Sequence, residues 1–206
     1  MEDIQLQIPL NITYIDSLIQ MTMTGNYNQI NESQKILMKF ATNKRAIKYV
    51  NELLSKSNNI YTHLFALNIV YSTIKTNDFK YYQQTMRLNI HTSIKQWHKS
   101  ITPQTNVLLI NKLSDLFVFS IIDLKDHNSI TELLQYDESL VELKLKTILE
   151  IYFQNEMFAS EHSLQFIEYV IKYLDTYTEL CLKIISKGIS YVEYSMVSQI
   201  ATASLK

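Results

Sequence analysis

The sequence predicts an all-α protein. Its 206 residues include only two Gly and two Pro, whereas all-β folds and nucleotide-binding loops need glycines at turns and close backbone approaches. Apolar residues recur at spacings of three and four along most of the chain, which is the period of amphipathic helices. Hydrophobic residues make up 47% and charged residues 19%, a balance typical of folded globular chains and not of disordered ones.

The first helix is expected to follow an irregular arm, residues 1–10. Asn11 or Thr13 is suited to cap a helix that runs through Met21, because both side chains accept hydrogen bonds from free helical N–H groups. Gly25 is expected to end this helix.

The next helices are predicted from polar breaks between apolar runs. Residues 31–33 are expected to begin the second helix, and Thr42 is expected to cap the third. Residues 57–59 form a predicted turn. The helix after that turn has a wide apolar face, formed by Ile60, Leu64, Leu67, Ile69, Val70 and Ile74.

The middle of the chain predicts two long helices. Asp78 is expected to cap the first, after a break at residues 76–78, and that helix reaches Trp97. Pro103 suits the first turn of the second, where its missing N–H group removes no hydrogen bond. Residues 126–128 are expected to end that helix.

The last third predicts a short helix, a helix capped by Asp137 and a long helix capped by Ser160. The long helix is expected to break near Asp175 and to end at Gly188, and residues 192–203 form a final predicted helix.

Successive helix pairs recur at roughly forty-residue intervals, the period of HEAT-type repeats. The sequence therefore predicts a HEAT-like helical-repeat superhelix, or α-solenoid, of about four to five helix pairs. A single domain over residues 1–206 is expected, since no linker-like or low-complexity segment divides the chain.

Charge and cysteine content narrow the class of protein. Net charge is −1, from 19 Lys and Arg against 20 Asp and Glu, so RNA contact by this chain alone is weakly predicted. Cys181 is the only cysteine and lies in an apolar run, as expected of a core thiol in a reducing compartment. No secretory signal is recognised, and no run approaches the roughly 20 apolar residues that span a bilayer. A cytosolic or nuclear protein without membrane insertion is expected.

The residues do not predict an enzyme, a metal site or a bound cofactor. No nucleophile or phosphate-binding motif is present. His91 and His98 are seven residues apart without a third ligand, so we expect surface histidines. Glu138 and Glu142 are four residues apart, which favours a solvated helix face over an acid/base pair.

The remaining histidines and the tyrosines also have ordinary interpretations. His63, His127 and His162 fall near helix starts or turns, where a solvated histidine is unremarkable. Helical spacing explains most tyrosines as core and rim residues, and the alternative is a base-stacking platform. The tyrosines concerned are Tyr71, Tyr81, Tyr82, Tyr152, Tyr169, Tyr173 and Tyr177.

Several segments resemble the exportins of the importin-β (karyopherin) family. Residues 107–117, with Asn111, Lys112 and Phe117, are similar to an "RNK-aqvf" helix, although Ile110 replaces the usual Arg. Residues 64–75 and 87–97 resemble two further exportin helices. Residues 148–156 and 181–197 resemble helices of exportin-T, with Tyr191 in place of the usual Trp. The segments follow the family order over residues 42–200.

The resemblance implies the amino-terminal arch of a nuclear export receptor of the tRNA-exporting type. Such an arch binds the GTP-bound small GTPase Ran, together with tRNA cargo and nuclear pore proteins, and shuttles between nucleus and cytoplasm as a monomer. The partner-facing residues that it implies are polar positions on second helices: Asn68, Tyr71, Lys75, Asn111, Lys112 and Asp115. Asn111 and Lys112 have an equally favoured role in fixing an interhelical turn.

Three alternatives remain open on the residues alone. The first is a helical-repeat scaffold for protein–protein interaction without transport activity. The second is a degenerate family copy that exposes apolar surface. The third is a helical repeat that binds RNA in its own right, which the net charge disfavours.

Overall fold

The computed structural model describes residues 11–75 and 84–191, and every regular element in these ranges is a helix. The predicted all-α class is therefore confirmed. The chain divides into two compact units, residues 1–84 and 85–206. The predicted arm at residues 1–10, the break and cap at residues 76–78, Tyr81, Tyr82 and the predicted helix at residues 192–203 lie outside the described residues.

Residues 11–75 of the first unit contain four α-helices and one 3₁₀ turn. Their bounds are α1 Ile12–Thr24, α2 Tyr27–Ala41, the 3₁₀ turn Ala46–Tyr49, α3 Val50–Lys56 and α4 Ile60–Lys75. Helix α1 packs on α2, and α4 packs on both α1 and α3. The most deeply buried apolar side chains come from the segment containing α3 and from α4: Ala46, Val50, Leu53, Ala66, Leu67, Ile69 and Val70.

Side-chain caps set the ends of α1 and α2. Asn11 Oδ1 accepts a hydrogen bond from Tyr14 N at 3.0 Å, which confirms Asn11 as the first cap. Helix α2 begins at Tyr27, four residues before the predicted start, because Asn26 and Gln29 form a capping box. Asn26 Oδ1 accepts from Gln29 N at 3.1 Å, and Gln29 Oε1 accepts from Asn26 N at 3.0 Å. This reciprocal pair satisfies two otherwise free N–H groups.

The turn between α1 and α2 requires glycine at position 25. A Cβ atom there would lie 2.5 Å from the carbonyl oxygen of Met21, which is a backbone atom that cannot move aside cheaply. Gly25 ends α1 as predicted, with its own N–H donating to Met21 O at 3.0 Å.

Thr42 ends α2 and does not cap the next helix, so that prediction is wrong. Its Oγ1 donates to Met38 O at 2.9 Å, satisfying a carbonyl of the last turn. The 3₁₀ turn Ala46–Tyr49 and α3 follow. The predicted turn at residues 57–59 is confirmed, and Ser57 Oγ there donates to Asp16 Oδ1 of α1 at 2.7 Å.

The described residues 84–191 contain seven α-helices and two 3₁₀ turns. Their bounds are α5 Gln84–Lys99, α6 Val107–Leu124, α7 Asn128–Leu134, the 3₁₀ turn Glu138–Leu140, α8 Val141–Gln154, α9 Glu156–Ser160, α10 Ser163–Ile171, α11 Thr178–Gly188 and the 3₁₀ turn Ile189–Tyr191. Helix α8 packs against α6, α9 and α11, and α10 packs against α11. The core therefore centres on α8, where Leu145, Ile148, Ile151 and Tyr152 are at most 1% exposed.

Two predicted helix starts in the second unit are wrong, Pro103 in a first turn and Ser160 as a cap. Pro103 lies in a turn before α6, which begins at Val107 because Asn106 Oδ1 accepts from Leu108 N at 2.9 Å. Ser160 is the last residue of α9, and Asn155 is the cap of that helix, accepting from Phe158 N at 3.0 Å.

The long helix predicted after Ser160 is instead divided into α10 and α11. The expected break near Asp175 is confirmed, because residues 172–177 are not α-helical. Asp137 caps the 3₁₀ turn Glu138–Leu140 that leads into α8, accepting from Ser139 N at 2.8 Å. Within the described ranges, no helix is long and apolar enough to cross a membrane.

Lys125 closes α6 in a left-handed backbone conformation, with φ 53°. Its N–H donates to Ile122 O at 3.3 Å, and Asp126 N donates to Ile121 O at 2.9 Å. Together these bonds satisfy carbonyls of the last turn. An L residue with a Cβ atom is strained in this region, where glycine is not.

The strain at Lys125 predicts that Lys125→Gly stabilises the protein by about 1 kcal/mol. The matched control is Lys183→Gly in α11, where the same substitution should destabilise by about 1 kcal/mol because glycine disfavours a helix interior. Urea unfolding followed by circular dichroism measures both changes. Destabilisation by Lys125→Gly would show that the left-handed turn is not a source of strain.

Candidate functional site

Three predicted partner-facing residues lie on α4. Asn68 and Lys75 are exposed, and Tyr71 is half-buried. The Lys75 ammonium lies 4.5 Å from the centroid of the Tyr71 ring, a cation–π contact. The core-facing positions of α4, such as Ala66 and Val70, are fully buried. The structure therefore brings Asn68, Tyr71 and Lys75 together on one side of a well-anchored helix.

The other three predicted residues lie on α6. Asn111 is exposed, and Lys112 and Asp115 are half-buried. Asn111 and Asp115 are four residues apart and so share a helix face. This set lies in the second compact unit, whereas the α4 set lies in the first.

The second unit also contains a polar seam that the sequence reasoning missed. Basic residues at four-residue intervals on α5 face carboxylates from the end of α6, the α6–α7 loop and α7. The seam consists of Arg87, His91, Lys95, Lys99, Asp123, Asp126 and Glu132. A four-residue spacing keeps the basic side chains on one helix face. The seam therefore ties α5 to the two elements that follow it.

Asp126 is the hub of the polar seam. Its carboxylate accepts from Ser129 Oγ at 2.6 Å and from Ser129 N at 3.2 Å. His91 Nε2 lies 2.7 Å from Asp126 Oδ2, and Lys95 Nζ lies 3.4 Å from it. Burial alone would raise the pKa of Asp126, but the bonds from Ser129 and His91 and the charge of Lys95 hold that pKa well below its ordinary value.

A second acid, Glu132 on α7, continues the seam. Its carboxylate lies 2.6 Å from Lys99 Nζ and 3.4 Å from Lys95 Nζ. The hydrogen bond from Lys99 is the main reason that the pKa of Glu132 is lowered. Lys95 therefore bridges Asp126 and Glu132.

His91 and His98 are buried, so the prediction of surface histidines is wrong. Their residues are 7% and 0% exposed. The physical reason is their spacing from Ile94, at minus three and plus four, which places all three side chains on the core face of α5. That spacing from a core isoleucine is the sequence signal that could have identified them.

His98 is held as a neutral ring within the apolar core. It stacks on Phe117 with ring centroids 4.3 Å apart, and its Nδ1 lies 3.3 Å from Tyr136 Oη. Its Nε2 has no hydrogen-bond partner among the described residues. Burial lowers the pKa of His98 to about 3, because the apolar surroundings disfavour the charged ring.

Lys144 is a fully buried cation on α8, which sequence reasoning did not single out. Its Nζ donates to Tyr136 O at 2.7 Å, lies 3.9 Å from Glu138 Oε1 and lies 5.2 Å from the Tyr169 ring centroid. Burial lowers the pKa of Lys144. Its position three residues after Val141, on the buried side of α8, was the available signal.

The exposed carboxylates of Glu138 and Glu142 contact different residues. Glu138 accepts a hydrogen bond from Tyr173 Oη and lies near Lys144, while Glu142 lies 2.6 Å from Lys146 Nζ.

Cys181 is buried, and burial raises the pKa of its thiol, as expected of a core cysteine. Over residues 11–75 and 84–191, no three His, Cys, Asp or Glu side chains are grouped so as to hold a metal ion.

No family model matches this chain, and no curated protein matches it. The exportin resemblance therefore rests on the sequence segments described above.

The hub geometry predicts that Asp126→Ala destabilises the protein by about 2–4 kcal/mol, because it strands His91 and removes the partners of Ser129. Chemical unfolding measures this change. The control is Glu179→Ala, whose exposed pair with Lys183 should contribute less than about 0.5 kcal/mol. Equal effects of the two substitutions would contradict the assignment of Asp126 as a hub.

Buried His98 predicts a loss of stability on mild acidification. The pKa of His98 is about 3 in the folded protein against the ordinary histidine value of 6.5, so the unfolded chain binds the proton more readily between these pH values. This contribution is complete above pH 6.5 and falls by about 2 kcal/mol between pH 7 and pH 5. Chemical unfolding at several pH values should show a shallower slope for His98→Phe, which keeps the stacking ring. Identical slopes for the two proteins would refute the prediction.

Proposed function

We propose that this chain is a non-catalytic binding protein of the exportin type. In this proposal it receives the GTP-bound form of Ran and contributes to holding tRNA for transport from nucleus to cytoplasm. The ordered series of exportin-like segments over residues 42–200 carries the proposal. Contact with nuclear pore proteins and shuttling between the two compartments belong to the same proposal.

The proposed architecture is a HEAT-like array of about four to five helix pairs. Support comes from the helix packing within each unit. In one unit α1 packs on α2 and α3 packs on α4; in the other α8 packs on both α6 and α11. An array of this kind presents a long surface to a macromolecular partner, and partner binding is coupled to its curvature.

The proposed contact residues are those on the accessible sides of α4 and α6. Asn68, Tyr71 and Lys75 form one set, and Asn111, Lys112 and Asp115 form the other. Their side chains offer donors, acceptors and an aromatic ring on helices whose opposite faces are anchored in the core. Because these helices are already held in place, binding a partner loses less conformational entropy.

Charge distribution supports the GTPase as the primary partner and RNA as a joint one. Lysines of the second unit lie close to carboxylates, including Lys95, Lys99, Lys146 and Lys183. Phosphate binding requires cations that neutralise phosphates and so release the counterions of the nucleic acid. Lysines that are already paired with carboxylates do this poorly. We therefore assign the tRNA contact to the complex with Ran and not to this chain alone.

A helical scaffold for protein–protein interaction, without transport activity, is the second candidate. The balanced charge and the lysine–carboxylate pairs favour it over an autonomous RNA-binding repeat. The two candidates differ in one respect that a binding experiment reads directly, which is dependence on the nucleotide bound to Ran.

The proposed function predicts that immobilised Ran captures the purified chain when it is loaded with a non-hydrolysable GTP analogue and not when it is loaded with GDP. Added tRNA should raise the captured amount. Lys75→Glu should weaken capture at least fivefold because it reverses charge at the α4 set, while Lys35→Glu on exposed α2 should leave it unchanged.

Equal capture by both nucleotide forms, or no capture of a folded and monodisperse sample, would overturn the exportin proposal. Nucleotide-independent capture of other proteins would then favour the scaffold. Capture with GTP but without a tRNA effect would retain an export receptor and reject tRNA as its cargo.

A further inference from the structure

His127 and His162 approach each other closely through their ring nitrogens. His127 Nδ1 lies 2.9 Å from His162 Nε2, which is hydrogen-bond distance. His127 directly precedes α7, and His162 directly precedes α10. The contact therefore joins the α6–α7 corner to the α9–α10 corner, across 35 residues of chain.

Chemistry permits one proton between the two facing nitrogens. A neutral imidazole has one donor and one acceptor nitrogen, whereas an imidazolium has two donors and no acceptor. The contact is satisfied when both rings are neutral with one donating, or when one imidazolium donates to a neutral ring. Two imidazolium rings would direct N–H groups at each other, and the contact could not persist.

One carboxylate faces the histidine pair. Glu161 Oε2 lies 3.6 Å from His127 Nδ1. Burial is the largest cause that lowers the pKa of His162, and the charge of His127 lowers it further, which keeps this ring neutral as the acceptor. Gln165 and Glu161 oppose that shift only in part.

Three other carboxylates on the adjoining elements make contacts elsewhere. Asp126, next to His127, is bonded to His91, Lys95 and Ser129. Glu156 on α9 accepts from Tyr191 and lies 3.9 Å from Lys187. Glu132 on α7 pairs with Lys95 and Lys99. Glu161 is therefore the carboxylate that acts on the histidine pair.

The contact covers aromatic side chains. His127 stacks on Phe158 with centroids 5.0 Å apart, and His162 lies 5.4 Å from Phe158 and 5.8 Å from Phe166. Phe158 is 5% exposed and Phe166 is fully buried. Separation of the two histidines would therefore expose apolar surface at this corner.

We propose that the His127–His162 contact is a proton-operated latch, closed while the facing nitrogens share one proton and opened when both rings are imidazolium ions. The latch is independent of the proposed export function, since it involves none of the α4 or α6 partner-facing residues. It makes the α9–α10 corner the part of the second unit that opens first on acidification.

Proton-detected NMR titration of the full chain tests the latch. The two histidines should titrate in two steps separated by at least one pH unit. In His162→Phe, which keeps an aromatic ring, His127 should titrate in a single step. Glu161→Gln should lower the upper step, and the control Glu156→Gln should leave both steps in place.

Amide hydrogen exchange gives an independent readout of opening. Protection of residues 158–166 should fall about tenfold more than that of α8 between pH 7 and pH 5, and α8 corrects for the global effect of His98. The extra loss should be absent in His162→Phe. Independent titration of both rings near pH 6.5, with uniform loss of protection, would overturn the latch.

A parallel titration with zinc chloride, against samples kept in EDTA, separates a shared proton from a shared metal. Histidine signals that are unchanged by zinc support the latch. A saturable zinc-dependent shift of both rings, abolished in His162→Phe, would assign the contact to a metal ion and overturn the proton mechanism.

Discussion

The second unit depends on basic and acidic side chains that lie close together where they are partly shielded from water. Asp126 is the clearest case, because its carboxylate lies at a corner where α5, the α6–α7 loop and α7 meet. An isolated buried charge costs several kcal/mol, and only well-placed partners offset that cost. His91 and Lys95 supply those partners from α5, and Ser129 supplies them from α7. The position of α5 relative to α7 is consequently specified by electrostatics as well as by apolar packing.

The same principle explains the other buried polar groups of this unit. Lys144 is tolerated in the α8 core because a carbonyl oxygen, a nearby carboxylate and an aromatic face surround its ammonium group. His98 is tolerated for the opposite reason, since it avoids charge altogether and packs as a flat ring on Phe117. Polar residues thus occupy core positions of α5 and α8 by two distinct physical routes.

The residues that stabilise the fold differ from those proposed to contact a partner. Core faces of α4 and α6 are buried, and the polar residues on their other sides remain accessible. A stiff helix with one anchored face is a suitable platform for a macromolecular partner, whether that partner is a GTPase or another protein. The polar seam and the histidine latch lie outside that platform and act on the stability of the unit that carries α6.

The sequence by itself determined the all-α class, most helix positions and the burial of Cys181, because few glycines and a 3.6-residue apolar period are local properties. Helix starts were harder to predict, because several nearby residues can cap the same helix. Thr42 and Ser160 end helices, although each was expected to begin one, and Pro103 lies before the helix whose first turn it was expected to occupy. Helical spacing places His91, His98 and Lys144 at core-facing positions, but only the tertiary structure decided which partners accompany them and that His127 meets His162. Those outcomes depend on which distant residues supply hydrogen bonds and charge, and such partners, 35 residues away in two of these contacts, leave no periodic signal in the chain.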